Sequence, residues 1–376
     1  MLLKSKIKRN IVSFYSLNRK KDNIRFLIEK HFIPSMEEKK KNAEIPTPVK
    51  LVNEMLETIP SSYWTSLHKT LEPCCGKGNF VLGIFDLFFK GLRRKYREKE
   101  ERCRVIIEEC LYYCDISPIN VFITTELLKC HVEMYCGKRL NIKFHSYVGD
   151  TLKLNPEKEW KVKGFDAVIG NPPYQKKVGI KKTEPIWNLF IEKYISLLEN
   201  DGYLVFVTPF GWRDVKGRFE KIKDLMINKN LLYLNMNDYK EGRKVFHCGT
   251  NFDYFLLQNN NNYKETEIND IDKKEYRFNL RKWEFIPSGK LNIYKKLIAK
   301  PNEPKCEILS DSTYHTTKEK SGLLSKMKSK KFKYPCIYII TRKDGIKLLY
   351  SSEKKGHFGI PKIIWSNGGG TYPIVD

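Results

Sequence analysis

Short apolar runs alternate along most of this chain with stretches whose apolar positions recur at helical spacing. Leu51, Val52, Met55 and Leu56 make one face of a helix, with Thr47 as its N-cap and Pro48 in its first turn. Lys69 to Pro73 reads as a first strand and Phe80 to Leu92 as the helix after it. Cys110 to Cys114, ending on Asp115, reads as a second strand, and Ser117-Pro118 opens a helix to about Cys136. Ile142 to Val148 and Phe165 to Gly170 supply strands three and four. Pro185 to Leu198 is amphipathic, with Ile186, Leu189, Phe190, Tyr194, Leu197 and Leu198 on one face. Asn200-Asp201-Gly202 turns it into a strand at Tyr203 to Val207, and Leu231 to Asn235 and Asn251 to Gln258 add two more. Strand followed by helix, repeated, predicts an α/β fold with a mostly parallel sheet.

The ends differ from this middle. Residues 1–44 form a basic, helical N-terminal extension, with a partial helical period at Asn23 to Lys30 and a charged run at Glu37 to Lys41. It suits a packing helix, or an arm on nucleic acid. Asn259 to Asn262 opens a polar stretch read as a linker over 259–275. Residues 276–376 form a smaller α+β region in which bases interleave with Phe332, Tyr334, Tyr338, Tyr350 and Trp365, and Lys343-Asp344-Gly345 marks a hairpin. The segment from Ser366 to Tyr372 follows without a closing helix, so a short or truncated region is expected.

Composition narrows the partners. Lys and Arg total 69 against 44 Asp and Glu, a formal charge of +25, and such an excess favours a polyanion. No run approaches eighteen apolar residues, so the chain is expected to be soluble and intracellular, cytoplasmic or nucleoid-associated, with no membrane partner. The ten cysteines lack paired Cys-x-x-Cys spacing, and no metal is expected.

The chemistry concentrates where the fourth strand ends, at Asn171-Pro172-Pro173-Tyr174. Two prolines fix the backbone and donate no hydrogen, so the Asn171 side-chain oxygen and the Pro172 carbonyl can act as paired acceptors for one planar donor. Tyr174 can lie across the same ring. A heteroaromatic amino group fits, because holding its two N–H groups pulls the nitrogen toward tetrahedral geometry and frees its lone pair. The bland alternative is a strand-to-loop turn.

This turn is similar to the catalytic motif of amino-methyltransferases that act on N6 of adenine, N4 of cytosine or a glutamine amide. Upstream, Glu72-Pro73-Cys74-Cys75-Gly76-Lys77-Gly78 resembles the cofactor loop of the same enzymes. With the cofactor loop first, the catalytic turn second and a recognition region last, residues 45–258 resemble the gamma class of DNA adenine methyltransferases, especially the large Eco57I-like restriction-modification members. The resemblance implies a Rossmann-like methyltransferase fold with a mixed, mostly parallel, seven-stranded sheet over 45–258 and target recognition in 276–376.

It also implies S-adenosylmethionine as cofactor, held by Thr47, Pro48, Glu72, Cys74, Gly76, Gly78, Asp115, Ile116, Asp150, Thr151 and Asn171. Glu72 would face the cationic methionine end, Asp115 the ribose and Asp150 the adenine amine. The Glu72 to Asp115 interval of 43 residues is roughly twice the usual Rossmann separation. The catalytic residues would be Asn171, Pro172, Pro173 and Tyr174, with Tyr174 and Phe252 stacking on the target base. Lysines between Gln175 and Lys182 would meet flanking phosphates, and Arg281 is among the bases that would read sequence. The expected partner is double-stranded DNA, bound by a monomer, with any restriction endonuclease encoded separately. An RNA or protein-glutamine methyltransferase and a catalytically inactive DNA-binding relative remain as alternatives.

Overall fold

The computed structural model describes residues 2–18, 24–32, 45–178, 182–214, 218–300, 302–304, 307, 322–341, 345–354, 357–364 and 374–375. Glu37 to Lys41, Lys343-Asp344, Trp365 and Ser366 to Tyr372 lie outside them, as do three residues of the loop after Tyr174. The chain divides into two compact units, 1–298 and 299–376.

The first unit is built on one nine-stranded sheet. Its strands are β1 (Thr70–Glu72), β2 (Leu111–Asp115), β3 (His145–Val148), β4 (Phe165–Gly170), β7 (Leu198–Pro209), β8 (Asn230–Asn237), β9 (Phe252–Gln258), β10 (Thr266–Asn269) and β11 (Glu275–Phe278). The spatial order is β11-β10-β8-β9-β7-β4-β1-β2-β3. The strands from β3 to β7 run parallel, whereas β9 lies antiparallel between β7 and β8. This is the mixed, mostly parallel Rossmann-like sheet expected, with two strands more than seven.

The addition corrects the domain boundaries. The expected linker at 259–275 contains β10, which pairs with β8 (Ile268 opposite Leu234), and β11 pairs antiparallel with β10. Thr266 and Ile268 are buried, so burial against the existing sheet holds a strand that its polar surroundings conceal. The boundary therefore moves from 258 to 298. Arg281 goes with the first unit: its guanidinium donates to the carbonyls of Ile227 and Asn228 at the end of the helix Glu220–Asn228 and lies 4.5 Å from the Tyr263 ring centroid. It caps the C-terminal end of that helix.

Helices cover both faces. Val49–Glu57, Asn79–Gly91 and Pro118–Cys136 pack on one face, joined by Leu2–Asn18 and Ile24–His31 through Ile11, Tyr15, Ile24 and Ile28. Trp187–Ser196 and Glu220–Asn228 pack on the other, with Trp187, Tyr194 and Met226 in the core. The segment after Tyr174 forms a short hairpin, β5 (Gln175–Val178) with β6 (Lys182–Pro185), rather than an irregular loop. In the second unit, β12 (Leu324–Ser325), β13 (Tyr334–Thr341) and β14 (Gly345–Ser351) form an antiparallel sheet in the order β12-β14-β13. No helix among the described residues is long and apolar enough to cross a membrane.

Candidate active site

In a parallel sheet the loops at the carboxyl ends of the strands collect on one edge, and here they carry most of the residues singled out above. β1 ends at Glu72, whose side chain is 1% exposed. One carboxylate oxygen accepts from the Cys74 backbone N–H at 2.9 Å, and the other is buried without a partner among the described residues. Burial pushes this carboxyl up to about 8, against the loop hydrogen bond that favours the charged form. A Cβ on Gly170, across in β4, would lie 2.5 Å from the bonded oxygen, so glycine is what lets the Glu72 carboxylate sit there.

The loop after β1 turns on Gly76 (φ 50°) and Gly78 (φ 86°), both in the left-handed region. A Cβ on Gly78 would come within 3.1 Å of the Thr124 side chain. Asp115, at the end of β2, braces this loop. One of its oxygens accepts from Gly76 N–H at 2.9 Å and the other from Ser117 N–H at 2.7 Å. Asn120 adds a third hydrogen bond at 3.4 Å. Burial raises the Asp115 carboxyl despite these bonds. Ile116 beside it is 65% exposed, a bare apolar side chain at the rim. After β3, Asp150 is half-exposed and accepts from Leu152 N–H at 3.1 Å, while Thr151 is buried and its carbonyl accepts from Tyr194.

Asn171 follows β4. Its amide nitrogen donates to Thr47 Oγ1 at 3.1 Å, which leaves the amide oxygen, buried, with no partner among the described residues. The Thr47 carbonyl accepts from the Asn79 side chain at 2.8 Å, so Thr47 joins the turn to the helix after the glycine loop. Pro48, rather than the predicted Thr47, takes the N-cap position of the helix Val49–Glu57 and offers no side-chain cap, because the Thr47 hydroxyl is turned to Asn171 instead. Pro172 is buried and Pro173 half-buried. The Tyr174 hydroxyl is buried and unpartnered among the described residues, while the residue as a whole is only part-buried; burial drives its pKa well up. Its carbonyl accepts from Ile186 N–H at 3.1 Å, pinning the hairpin to the turn.

Two further features stand beside these residues. Thr208, near the end of β7 and next to β4 in the sheet, has a buried hydroxyl with no partner among the described residues. Arg213 donates to Asp253 at 2.7 and 3.3 Å, to the Ile286 carbonyl at 2.9 Å and to Ser288 at 3.1 Å, all buried or nearly so. An Arg after Thr-Pro-x-x-Trp gave no hint of its partner forty positions on. Phe252 requires correction: it is 1% exposed and meets Phe246 edge-on at 4.9 Å, so it is core rather than a face for a base.

Three neighbouring strand ends, β1, β4 and β7, thus each present a buried polar oxygen without a partner. Buried polar atoms in folded proteins are overwhelmingly hydrogen-bonded, and a cluster of exceptions at one sheet edge is what a ligand site looks like before its ligand arrives. No group of three or more His, Cys, Asp and Glu among the described residues is arranged to hold a metal.

Residues 109–246 match the model of the Eco57I restriction-modification methylase family. No curated protein sequence matches the chain. Among solved structures, one from a study of type I R-M system assembly and conformational transition is 17% identical, covers 59% of this chain and has a TM-score of 0.47. A modification subunit of a putative type I restriction enzyme from Vibrio vulnificus YJ016 is 16% identical over 74% of this chain, with a TM-score of 0.48. A putative class I S-adenosylmethionine-dependent methyltransferase from Listeria monocytogenes is 15% identical, with a TM-score of 0.42, and the match covers 70% of this chain and 73% of that one. The chain spans only about half of the first two, 44% and 58% of their lengths.

Proposed function

We propose that this chain is a restriction-modification type DNA methyltransferase that transfers a methyl group from S-adenosylmethionine to N6 of an adenine rotated out of the duplex. The observation that carries the reading is the bare Asn171 amide oxygen at the start of a Pro-Pro-Tyr turn, with its nitrogen already bonded to Thr47. The +25 charge supports a nucleic acid as the substrate, and the family-model match supports the restriction-modification setting.

The residues present fit the cofactor. Glu72 keeps one buried oxygen without a partner among the described residues, which suits a cationic group, and Gly76 and Gly78 supply the left-handed turns of the loop beside it. Asp115 keeps that loop in shape, Thr47 closes over it, and Asp150 and Thr151 border it. When bound, S-adenosylmethionine supplies an electrophilic methyl group and departs as a neutral thioether.

The chain's own part is orientation. Asn171 Oδ1 accepts an N6–H of the flipped adenine, and the Pro172 carbonyl accepts the other. The proline pair provides no N–H to compete for the lone pair that those contacts release. The part-buried Tyr174 ring stacks on the base, and the unpaired Thr208 hydroxyl sits one strand away. N6 gives up one proton to water as it gains the methyl, and no strong base is required. Rate enhancement then comes mainly from holding two reactants in line. Base extrusion costs stacking energy, which contacts to flanking phosphates repay. Lys176 and Lys177 on the exposed strand β5, which follows the turn directly, support such contacts. Residues 299–376 are proposed to take part in target recognition.

DNA from cells expressing the chain should carry N6-methyladenine in a defined sequence context, read by single-molecule sequencing. Asn171→Ala should abolish the mark while cofactor binding persists. Modification confined to RNA or to protein glutamine, or a mark that survives Asn171→Ala, would overturn the reading.

A further inference from the structure

A line of hydrogen bonds runs from the catalytic turn into the N-terminal extension, outside the region that matches the family model. Thr47 takes the Asn171 amide on its hydroxyl and the Asn79 amide on its carbonyl. Two residues on, Val49 opens the helix Val49–Glu57, whose N-cap position is Pro48 and makes no side-chain cap. The free donor at that end is met from another helix: Val49 N–H donates to Glu29 Oε2 at 2.9 Å. One turn earlier on the same helix, Arg25 donates to Asn53 Oδ1 at 2.9 Å and to the Asn79 carbonyl at 3.2 Å, with Asp86 at 3.9 Å. Arg25 therefore bridges the helix that follows Thr47 and the helix that follows the glycine loop.

Gly83 gives independent support. It lies inside the helix Asn79–Gly91, where glycine is otherwise unfavourable, and a Cβ there would stand 2.5 Å from the Arg25 guanidinium and 2.8 Å from Leu56 Cδ1 of the helix that Arg25 bridges to. The space beside that guanidinium is kept open by a residue the helix would not choose for its own sake. Ile24 and Ile28 are buried alongside, so Arg25 and Glu29, four residues apart, face inward.

We infer that Arg25 and Glu29 are positioning residues for methyl transfer, acting through Thr47 on the orientation of Asn171 and on the cofactor loop. Asn171 must present its amide oxygen, not its nitrogen, to the target. The Thr47 hydroxyl accepts from the nitrogen, which leaves the oxygen to the target, and it stands within reach only while the Val49–Glu57 helix is held at the right height. Glu29 fixes the end of that helix and Arg25 fixes its side. The N-terminal extension is on this account part of the catalytic scaffold and not an arm on DNA. The inference rests on the methyltransferase reading for its rate consequence, but its effect on the cofactor loop stands apart from what the substrate is.

The test uses the full chain with Arg25→Ala, Glu29→Ala and Glu29→Gln. Four quantities are measured: kcat with a methylatable duplex, KM for that duplex, affinity for sinefungin by calorimetry, and Tm. Small misplacements of reacting groups can cost up to about a hundredfold in rate. Arg25→Ala and Glu29→Ala should lower kcat roughly tenfold or more and weaken sinefungin several-fold, with KM for DNA unchanged. Glu29→Gln should recover most of both, because its amide oxygen can still accept from Val49. A fall in Tm alone, with kcat and sinefungin affinity intact well below the transition, would reduce the pair to a structural role and overturn the inference. Weaker DNA binding with unchanged kcat would overturn it too, in favour of a nucleic-acid arm. If the wild type binds sinefungin but methylates no DNA, the proposed function fails, and the sinefungin comparison alone still decides for or against the positioning role.

Discussion

Glu72 is a buried acid whose pKa stands at about 8, with one oxygen bonded and the other bare. At pH 7 it is therefore about nine-tenths protonated, and ionising it costs ~1.4 kcal/mol, one pKa unit. A cation delivered to that oxygen draws the proton off. Binding of a cationic cofactor analogue such as sinefungin at pH 7 should release about 0.9 proton, and affinity should rise about tenfold between pH 7 and pH 9 before levelling. Calorimetry in two buffers of different ionisation heat measures the release directly. Glu72→Gln cannot ionise, so it should release no proton at this site. The wild-type to Glu72→Gln affinity ratio should carry the whole pH dependence, since the ligand's own titration cancels in it. The same shift has a consequence without ligand. The folded chain keeps a proton that the unfolded chain gives up between about 4.5 and 8, so this group's contribution to stability falls as pH rises through that window. Equal pH profiles for wild type and Glu72→Gln, or equal heats in both buffers, would refute the reasoning.

Two further substitutions test the frame around the site. Asp253→Ala leaves the Arg213 guanidinium buried and unpaired, and should cost ~3–5 kcal/mol in urea unfolding; a loss below about 1 kcal/mol would show that Arg213 finds water or another acceptor. Gly78→Ala combines a left-handed backbone with a Cβ 3.1 Å from Thr124, so about 1–2 kcal/mol of stability and much of the sinefungin affinity should be lost, and an unchanged Tm with unchanged binding would contradict the loop geometry.

Much of the central sheet was legible because its signals are local. Phe165 to Gly170 is an apolar run that ends at a proline pair, and the helix after Ser117-Pro118 opens on a cap and a proline that need no distant partner. β10 was hidden because a four-residue strand amid Glu, Asp and Lys is held by pairing with β8, more than thirty positions away, and β11 because it in turn is held by β10. Phe252 misled for a related reason. Its place at a strand end is visible in sequence, but Phe246 covering its edge is a tertiary fact. The Asn171 turn could be read as chemistry from its residue types alone. Its orientation could not, because the groups that fix it, Thr47 and behind it Glu29 and Arg25, lie more than a hundred residues upstream.

Gly170 and Glu72 face each other across two adjacent strands with no room to spare. Side-chain volume at one position and carboxylate reach at the other are therefore a single variable. An alanine at 170 would push the Glu72 carboxyl group out of the place it now holds, and an acid one methylene shorter at 72 would avoid that contact by drawing the group back from the turn. The position of the acid beside the catalytic turn is thus set in part by a methyl group that its neighbour lacks.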